Sequence, residues 1–418
     1  RTCLPAPMYE RNDVNVISIL KQCIGKELSK ITMPVVLNEP LSFLQRMVEY
    51  MEYSNLLLSA HQSNDPIERL ELVTAFAVSA TSSNWERIGK PFNPLLGETF
   101  ELDRPDMGFR IVCEQVSHHP PVSAFHGEGD HFTFHGSIQP KMKFWGKSIE
   151  VTPKGTITLY LKKHKEIYTW HNVNCSVNNI FVGKLWIEHS GTMEVTNRTK
   201  NLKCTLNFKS ADFLGRDVHK VEGFLYDSSQ KKTRALYGKW LDALYSYDIG
   251  TYEAYIKTIR RSPSPFNLVK SPSEVIPSRG SSSNLNLTNQ KCLWEATPRP
   301  QNSSMYYNFT KFAMTLNELP PQLSSPPTTS SSSPLPPTDS RFRPDVRAME
   351  EGDIEKAASE KTRIEEKQRA MMKDRKIHKK DNEAKWFKWG KDEMSGNDEW
   401  LFTGLYWGRS FKDCENIF

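Results

Sequence analysis

Thr156-Ile157-Thr158-Leu159-Tyr160-Leu161 alternates between side chains suited to an interior and side chains that tolerate water. Lys203-Cys204-Thr205-Leu206-Asn207-Phe208 repeats the pattern, with Cys204, Leu206 and Phe208 on one face of an extended chain. Successive strand residues point to opposite faces, so each stretch predicts a strand buried on one side. The same period of two runs from Pro91 to about Tyr237. It is punctuated by Pro153-Lys154-Gly155, Ser190-Gly191 and Asp227-Ser228, which carry turn chemistry. Many short strands without intervening helices form an antiparallel meander. A long meander exposes two edges, and curling toward a barrel shelters them, so a large antiparallel sheet or barrel is expected.

Before Pro91 the period is helical. Asn12 and Asp13 precede Val16, Ile17, Leu20 and Ile24, one face of a short amphipathic helix ending near Gly25. Leu44, Val48, Met51 and Leu58 predict a helix over 41–58. Asp65-Pro66 starts another, with Leu70, Val73, Phe76 and Ala77 as its buried stripe. After Pro344 a charged helix is expected over 346–380, with Gly352 inside it, and the aromatic stretch Trp400–Trp407 should pack back on the body. Ser262–Thr288 and Pro320–Thr338 are dominated by Ser, Pro, Thr and Asn. They bury too little apolar surface to offset the entropy of ordering, and read as mobile loops. Cys292–Leu319, with Trp294, Met305, Tyr306, Phe309 and Phe312, reads as strands rejoining the sheet. The expected organisation is a leading segment over 1–33, helices over 34–90, the sheet over 91–319 with an insertion at 262–289, a disordered loop over 320–340, and a C-terminal helix and tail over 341–418.

With 418 residues the chain has ample core, and its charge of 55 − 49 = +6 is too slight for a nucleic-acid-binding face, though it suits anionic surfaces or ligands. No run approaches the roughly 18 apolar residues of a membrane span, so an integral membrane protein is not expected. Seven scattered cysteines without a CxxC point to neither a disulfide framework nor a zinc site, and suit a reducing compartment. The chain starts at Arg1 without an apolar leader and reads as a piece of a longer protein.

Glu114-Gln115-Val116-Ser117-His118-His119-Pro120-Pro121 is the sharpest local feature. In extended chain the two imidazoles would point apart, whereas a turn at the prolines would bring both to one ligand. Anion binding is one reading; a metal pair or ordinary surface histidines are the others, and the metal lacks an obvious third ligand. Lys90-Pro91-Phe92-Asn93-Pro94-Leu95-Leu96-Gly97-Glu98 sets Lys90, Asn93 and Glu98 among turn formers. Taken alone, it reads as a structured passage into the sheet.

In the late helix, Ile354, Ala357, Ala358, Ile364, Met371 and Met372 define an apolar stripe. Lys361 and Glu365 fall on that stripe and Arg369 at its edge. An ordinary solvated row of i,i+4 pairs is one account. Charges in a buried stripe need partners, and a bound polyanion is the other. No Gly-x-Ser-x-Gly elbow, His-Glu-x-x-His, kinase loop set or Rossmann glycines occur, so no catalytic residue is nominated and no enzyme is expected.

Glu114–Pro121 (EQVSHHPP) resembles the signature of the oxysterol-binding-protein-related lipid-transfer family. The resemblance extends to Lys90–Glu98 (KPFNPLLGE), Tyr237–Trp240 (YGKW), Arg343–Asp345 (RPD) and Glu360–Arg369 (EKTRIEEKQR). Arg1–Met8 (RTCLPAPM), Ile31–Val35 (ITMPV) and Lys143–Lys147 (KFWGK) are similar in particular to its members numbered one and two. It implies an α+β fold: a large incomplete antiparallel β-barrel around a hydrophobic tunnel, with an N-terminal lid and helices and a C-terminal helical subdomain. It implies one sterol (cholesterol or an oxysterol) or one phosphoinositide (phosphatidylinositol 4-phosphate or 4,5-bisphosphate) held at a time and exchanged between membranes, with no cofactor or metal.

The resemblance places the phosphoinositide headgroup on Lys90, Asn93, Glu98, His118, His119, Lys361, Glu365 and Arg369. His118, His119 and Arg369 would take the ring phosphate, and Lys90 and Lys361 would balance the remaining charge. Asn93, Glu98 and Glu365 would bind hydroxyls or hold the cations. Val16, Ile17, Leu20 and Ile24 would form the lid. The implied setting is the cytosol, peripherally on membranes at contacts of the endoplasmic reticulum, late endosome, plasma membrane or lipid droplet. An endoplasmic-reticulum receptor would be reached through a region upstream of Arg1. The two Ser/Pro-rich loops are not explained by it. A sensor or scaffold that binds these lipids without transfer is the alternative, and a lipid hydrolase a more distant one.

Overall fold

The structure, a computed structural model, describes residues 1–9, 33–180, 185–211, 218–261, 290–320, 335–378 and 384–418. The expected lid residues Val16, Ile17, Leu20 and Ile24, the loop Ser262–Thr288 and most of Pro320–Thr338 lie outside the described residues.

The helix expected over 41–58 is not continuous. Leu41 and Ser42 belong to β1 (Asn38–Ser42), followed by α1 (Phe43–Met47), a 3-10 turn over Val48–Met51, and α2 (Asn55–Gln62). Parallel pairing with Lys90 and Phe92 claims the first residues, and Asn38 Nδ2 donates to Lys90 O at 3.0 Å. Long-range pairing here outweighs a local helical pattern. At α3 (Pro66–Ser79) the expectation holds at the start, where Asp65 Oδ1 accepts from the Ile67 N–H at 2.9 Å. The burial differs: every residue from Arg69 to Ser79 is buried, not one stripe. The charges this encloses are paired. Arg69 donates to both oxygens of Glu166 at 2.9 and 2.5 Å, and Glu71 accepts from Ser246 Oγ at 2.5 Å.

Next come β2 (Lys90–Phe92), β3 (Thr99–Arg104), β4 (Phe109–His118), β5 (Pro121–Glu128), β6 (Phe132–Phe144), β7 (Ser148–Lys154), β8 (Ile157–Leu161), β9 (Glu166–Trp170) and β10 (Asn174–Asn178). The meander continues through β11 (Trp186–Asn197), β12 (Leu202–Phe208), β13 (Lys220–Tyr226), β14 (Lys232–Lys239), β15 (Ala243–Asp248), α4 (Ile249–Arg261) and β16 (Lys291–Glu295). The alternating stretches of the sequence are thus β8 and β12, and their apolar faces lie in the main core, together with α1–α3.

Fourteen strands form one antiparallel sheet in the order β16-β15-β14-β13-β12-β11-β10-β7-β6-β5-β4-β3, with β8 and β9 inserted between β6 and β11. The order ends at β3 and β16, so the barrel is incomplete. The Ser190-Gly191 turn is not one: both residues lie within β11. Trp186–Ser190 pairs with β10, and Gly191–Asn197 pairs with β12. Gly191, at φ +114°, bends the strand without ending it.

Of the segment 292–319, only the first residues join the sheet. The rest forms a 3-10 turn and α5 (Lys311–Thr315), capped by Thr310 Oγ1, which accepts from the Ala313 N–H at 3.1 Å. Within the stretch expected as a disordered loop over 320–340, Leu335 and Thr338–Ser340 are buried, and the Thr99 N–H of β3 donates to Thr338 O at 2.9 Å.

The late helix is two: α6 (Pro344–Glu350) and α7 (Ile354–Ile377). Gly352, at φ +84°, ends the first, and Asp353 Oδ1 accepts from the Lys356 N–H at 2.9 Å to start the second. Along α7 the stripe is narrower than expected: Ala357 and Ile364 are buried, Met371 and Met372 are half-buried, and Ala358 is exposed. The aromatic tail packs back as expected. It forms β17 (Phe387–Lys391) and β18 (Asp398–Phe402), and Trp386, Phe387 and Tyr406 cover Val112, Val116 and Ala124.

Candidate functional site

The chain leaves β2 at Phe92, turns through Pro94 and enters β3 after Glu98. That carboxylate holds the turn together. It accepts from the Leu95 N–H at 2.9 Å, Ser42 Oγ at 2.5 Å, Ser340 Oγ at 2.7 Å and Arg343 Nη1 at 2.8 Å, and has no exposed surface. Glu98 therefore shapes the loop and offers no free oxygen to a ligand. Arg343, for which the sequence signal was the Arg343-Pro344-Asp345 motif alone, is the residue that reading left without a role. Its Nη1 also donates to Asn93 O at 2.9 Å, and Nε and Nη2 donate to Asp345 at 3.0 and 2.7 Å. Burial alone would lower its pKa, but Asp345 and Glu98 outweigh that and raise it.

With the loop fixed, Lys90 and Asn93 face α7. Lys90 Nζ donates to Asn93 Oδ1 at 3.0 Å. Desolvation, aided by the charge of Lys361 and opposed by Glu365, lowers the Lys90 pKa to about 8. Lys361 is buried on the α7 stripe, donates to Met33 O, and stands 3.8 Å from Glu365 Oε1. Burial lowers its pKa against the pull of Glu365. Arg369 Nη1 lies 4.0 Å from Glu365 Oε2, and its side chain is 63% exposed. Three cations thus surround one carboxylate, and two of them are partly stripped of water. Such an arrangement favours an incoming anion.

His118 pairs with Pro121 at the tip of the β4–β5 hairpin, and the turn brings the two imidazoles together with ring centroids 4.6 Å apart. His118 Nδ1 is buried and has no hydrogen-bond partner among the described residues. Burial, and then the neighbouring His119, lowers the His118 pKa to about 4, so the ring is neutral at pH 7. A buried ring nitrogen without a partner calls for a ligand group or water. The hairpin is anchored to the lysine loop by backbone: the Gln115 N–H donates to Glu98 O at 2.9 Å, and the Gly97 N–H to Gln115 O at 3.0 Å. Glu98 and Arg343 therefore hold the 90–98 and 114–121 stretches together, and Lys361 of α7 feels the charges of Asp345 and Arg343.

Behind this cluster one sector of the barrel interior is incompletely covered. Strand register aligns Met142, Val151 and Cys175 across β6, β7 and β10, and Phe144, Ile149 and Val177 in the next row. Met142 and Phe144 continue the β6 face whose Phe134 and Ile138 lie in the core, so the face looks inward, and desolvation pushes the Cys175 thiol up to about 11 against the pull of Arg46. All six side chains are nonetheless half-buried, whereas the inward residues Leu159, Leu161, Met193 and Val195 are fully buried. The sector adjoins the cations. Arg46 Nη1 donates to Gly89 O at 3.1 Å, and Phe144 and Ile149 share the buried Ile180 with Met33, whose carbonyl takes Lys361. Among the described residues no group of three or more His, Cys, Asp or Glu side chains is arranged to hold a metal ion. No helix among them is long and apolar enough to cross a membrane.

An incomplete 14-stranded barrel with a basic, imidazole-bearing rim defines a class, and comparison with known proteins identifies it. The chain belongs to the oxysterol-binding protein family, which is matched over residues 15–411. It is 51% identical to oxysterol-binding protein-related protein 1 of Rattus norvegicus, covering 100% of this chain and 44% of that protein. To oxysterol-binding protein-related protein 2 of Homo sapiens it is 48% identical, covering 100% of this chain and 88% of that protein. The chain thus spans less than half the length of the first of these relatives. The Osh1 ORD domain, solved in complex with cholesterol, superposes with a TM-score of 0.84 at 34% identity, over 100% of this chain and 94% of that one. The Osh3 ORD of Saccharomyces cerevisiae, solved in complex with PI(4)P, gives 0.77 at 32%, over 100% and 99%.

Proposed function

We propose that this chain binds one sterol or one phosphoinositide at a time in the barrel interior and exchanges them between membranes. The reading is supported by the half-buried apolar sector of β6, β7 and β10 and by His118 Nδ1, buried and without a hydrogen-bond partner among the described residues. Solved relatives bound to cholesterol and to PI(4)P support both ligand classes. Acyl chains or a sterol would lie on the apolar sector, where removing several hundred Å² from water is worth on the order of ten kcal/mol before offsets. The headgroup phosphate would be met by His118, His119 and Arg369, with Lys90 and Lys361 balancing its charge. Asn93 and Glu365 would orient hydroxyls and cations, while Glu98 acts only through Arg343 and the loop.

The same chain acting as a membrane-bound sensor would bind these lipids but leave them in place. A transfer assay separates the two: labelled sterol in donor liposomes should reach acceptor liposomes at a rate proportional to protein, accelerated when the acceptor holds phosphatidylinositol 4-phosphate. Binding without transfer would leave the sensor.

A further inference from the structure

β6 continues past the level of the His118–Pro121 turn. Ser123 faces Ile138 across β5 and β6, which sets Pro121 at the level of Pro140, and the strand runs on from there to Phe144. The hairpin it makes with β7 extends beyond the imidazole turn by about five residues, or about 16 Å of strand. One face of it is anchored at the tip: Phe144 and Ile149, which flank the turn, pack against Ile180, and the Ile180 N–H donates to Lys147 O at 3.2 Å. The other face is presented to solvent. The Trp145 N–H donates to Ser148 O at 2.9 Å, Gly146 takes φ +75°, and Trp145 is 62% exposed.

Lysines line the same hairpin. Lys143 Nζ lies 5.9 Å from the Trp145 ring centroid, Lys147 is in the turn, and Lys141 stands close enough to Lys154 for the two ammonium groups to repel. Glu150, opposite Lys143 in register, is the carboxylate set among these four lysines. A large exposed indole beside an ammonium group, with more lysines along the same hairpin, is costly to leave in water. It matches the bilayer interface, where indole sits at headgroup level and lysines reach phosphate.

We propose that the Lys141–Lys147 tip is a docking foot for an anionic bilayer: Trp145 enters the headgroup region, Lys141, Lys143 and Lys147 meet the negative surface, and the rim is thereby set down on the membrane. This deepens the lipid-exchange reading by naming the surface through which it would reach its membranes.

The test is co-sedimentation of the full chain with phosphatidylcholine vesicles, with and without phosphatidylserine. Two variants are compared with the wild type: Trp145→Ala, and the triple Lys141→Ser, Lys143→Ser, Lys147→Ser. Binding to phosphatidylserine vesicles should fall several-fold for the first and roughly fivefold per lysine for the second. Melting temperature and binding of a soluble short-chain phosphoinositide should hold. Unchanged vesicle binding by both variants overturns the proposal, as does a changed oligomeric state with vesicle binding intact, which assigns the tip to a protein contact. Tip-dependent binding by a wild type that extracts no lipid would instead uphold the foot and sink the exchange reading.

Discussion

Glu98 accepts a hydrogen bond from Arg343 Nη1 at 2.8 Å, and both side chains are buried. This pair joins the loop that presents Lys90 and Asn93 to α6, and through Gln115 to the hairpin that presents the imidazoles. Two buried residues thereby shape the loop and hairpin that carry the more exposed ones.

Replacing Arg343 by Met would strand the Glu98 charge in a site with no water to take its place. A loss of about 3–5 kcal/mol in urea unfolding is expected, with sterol and phosphoinositide binding falling together. A loss below about 1 kcal/mol would show that the pair does not hold the two stretches together.

The imidazoles should act on one ligand class only. The double change His118→Ala, His119→Ala should lower phosphoinositide extraction from liposomes at least tenfold, since a hydrogen bond to a charged group contributes about 1.5–3 kcal/mol. Sterol extraction should be largely spared, and equal loss of both would contradict the assigned role.

Lys90 sets an alkaline limit. Its pKa of about 8 in the free site rises once an anion supplies a partner, so binding above that pH takes up a proton. Phosphoinositide affinity should therefore be flat with respect to Lys90 below pH 8 and fall above it, by at most tenfold per pH unit. Titration calorimetry across pH 7 to 10 reads the slope. Lys90→Arg should flatten it, and a persistent slope in that variant would assign the proton elsewhere.

Arg369 is mostly exposed and 4.0 Å from its carboxylate, so it adds little to stability. Arg369→Ala should leave the unfolding free energy within about 0.5 kcal/mol and still weaken phosphoinositide binding about tenfold. Arg369→Lys should restore little if the guanidinium grips phosphate with two donors. Full recovery by lysine would reduce Arg369 to a point charge.

How much of this was legible in sequence follows from how local each signal is. β12 was readable because one face is buried and the other reaches solvent, and β8 because its apolar residues share one core face even though Thr158 on the other face is also buried, so the period of two survives in the letters. Lys361 was readable for the same reason, as a charge standing on a helical apolar stripe. Leu41 and Ser42 misled because their partner, the Lys90–Phe92 strand, is remote in sequence. α3 misled because its surroundings bury every side, which no single stripe announces. Gly352 and Asp353 carry an ordinary stop and start that the long run of charged helix formers concealed. Glu98 read as a ligand group through its place in a motif, whereas its four hydrogen bonds, three of them to Ser42, Ser340 and Arg343, are visible only in three dimensions. Arg343 was passed over because a buried arginine is defined by the carboxylates around it, here Asp345 and Glu98.

The decisive experiment is reciprocal displacement. Protein loaded with a fluorescent sterol is titrated with liposomes containing phosphatidylinositol 4-phosphate, and both lipids bound per chain are counted after separation. Sterol should leave as phosphoinositide enters, with the sum holding at one lipid per chain, and the His118→Ala, His119→Ala protein should retain its sterol. Simultaneous occupancy by both lipids, or sterol retention by the wild type at saturating phosphoinositide, would contradict a single shared cavity.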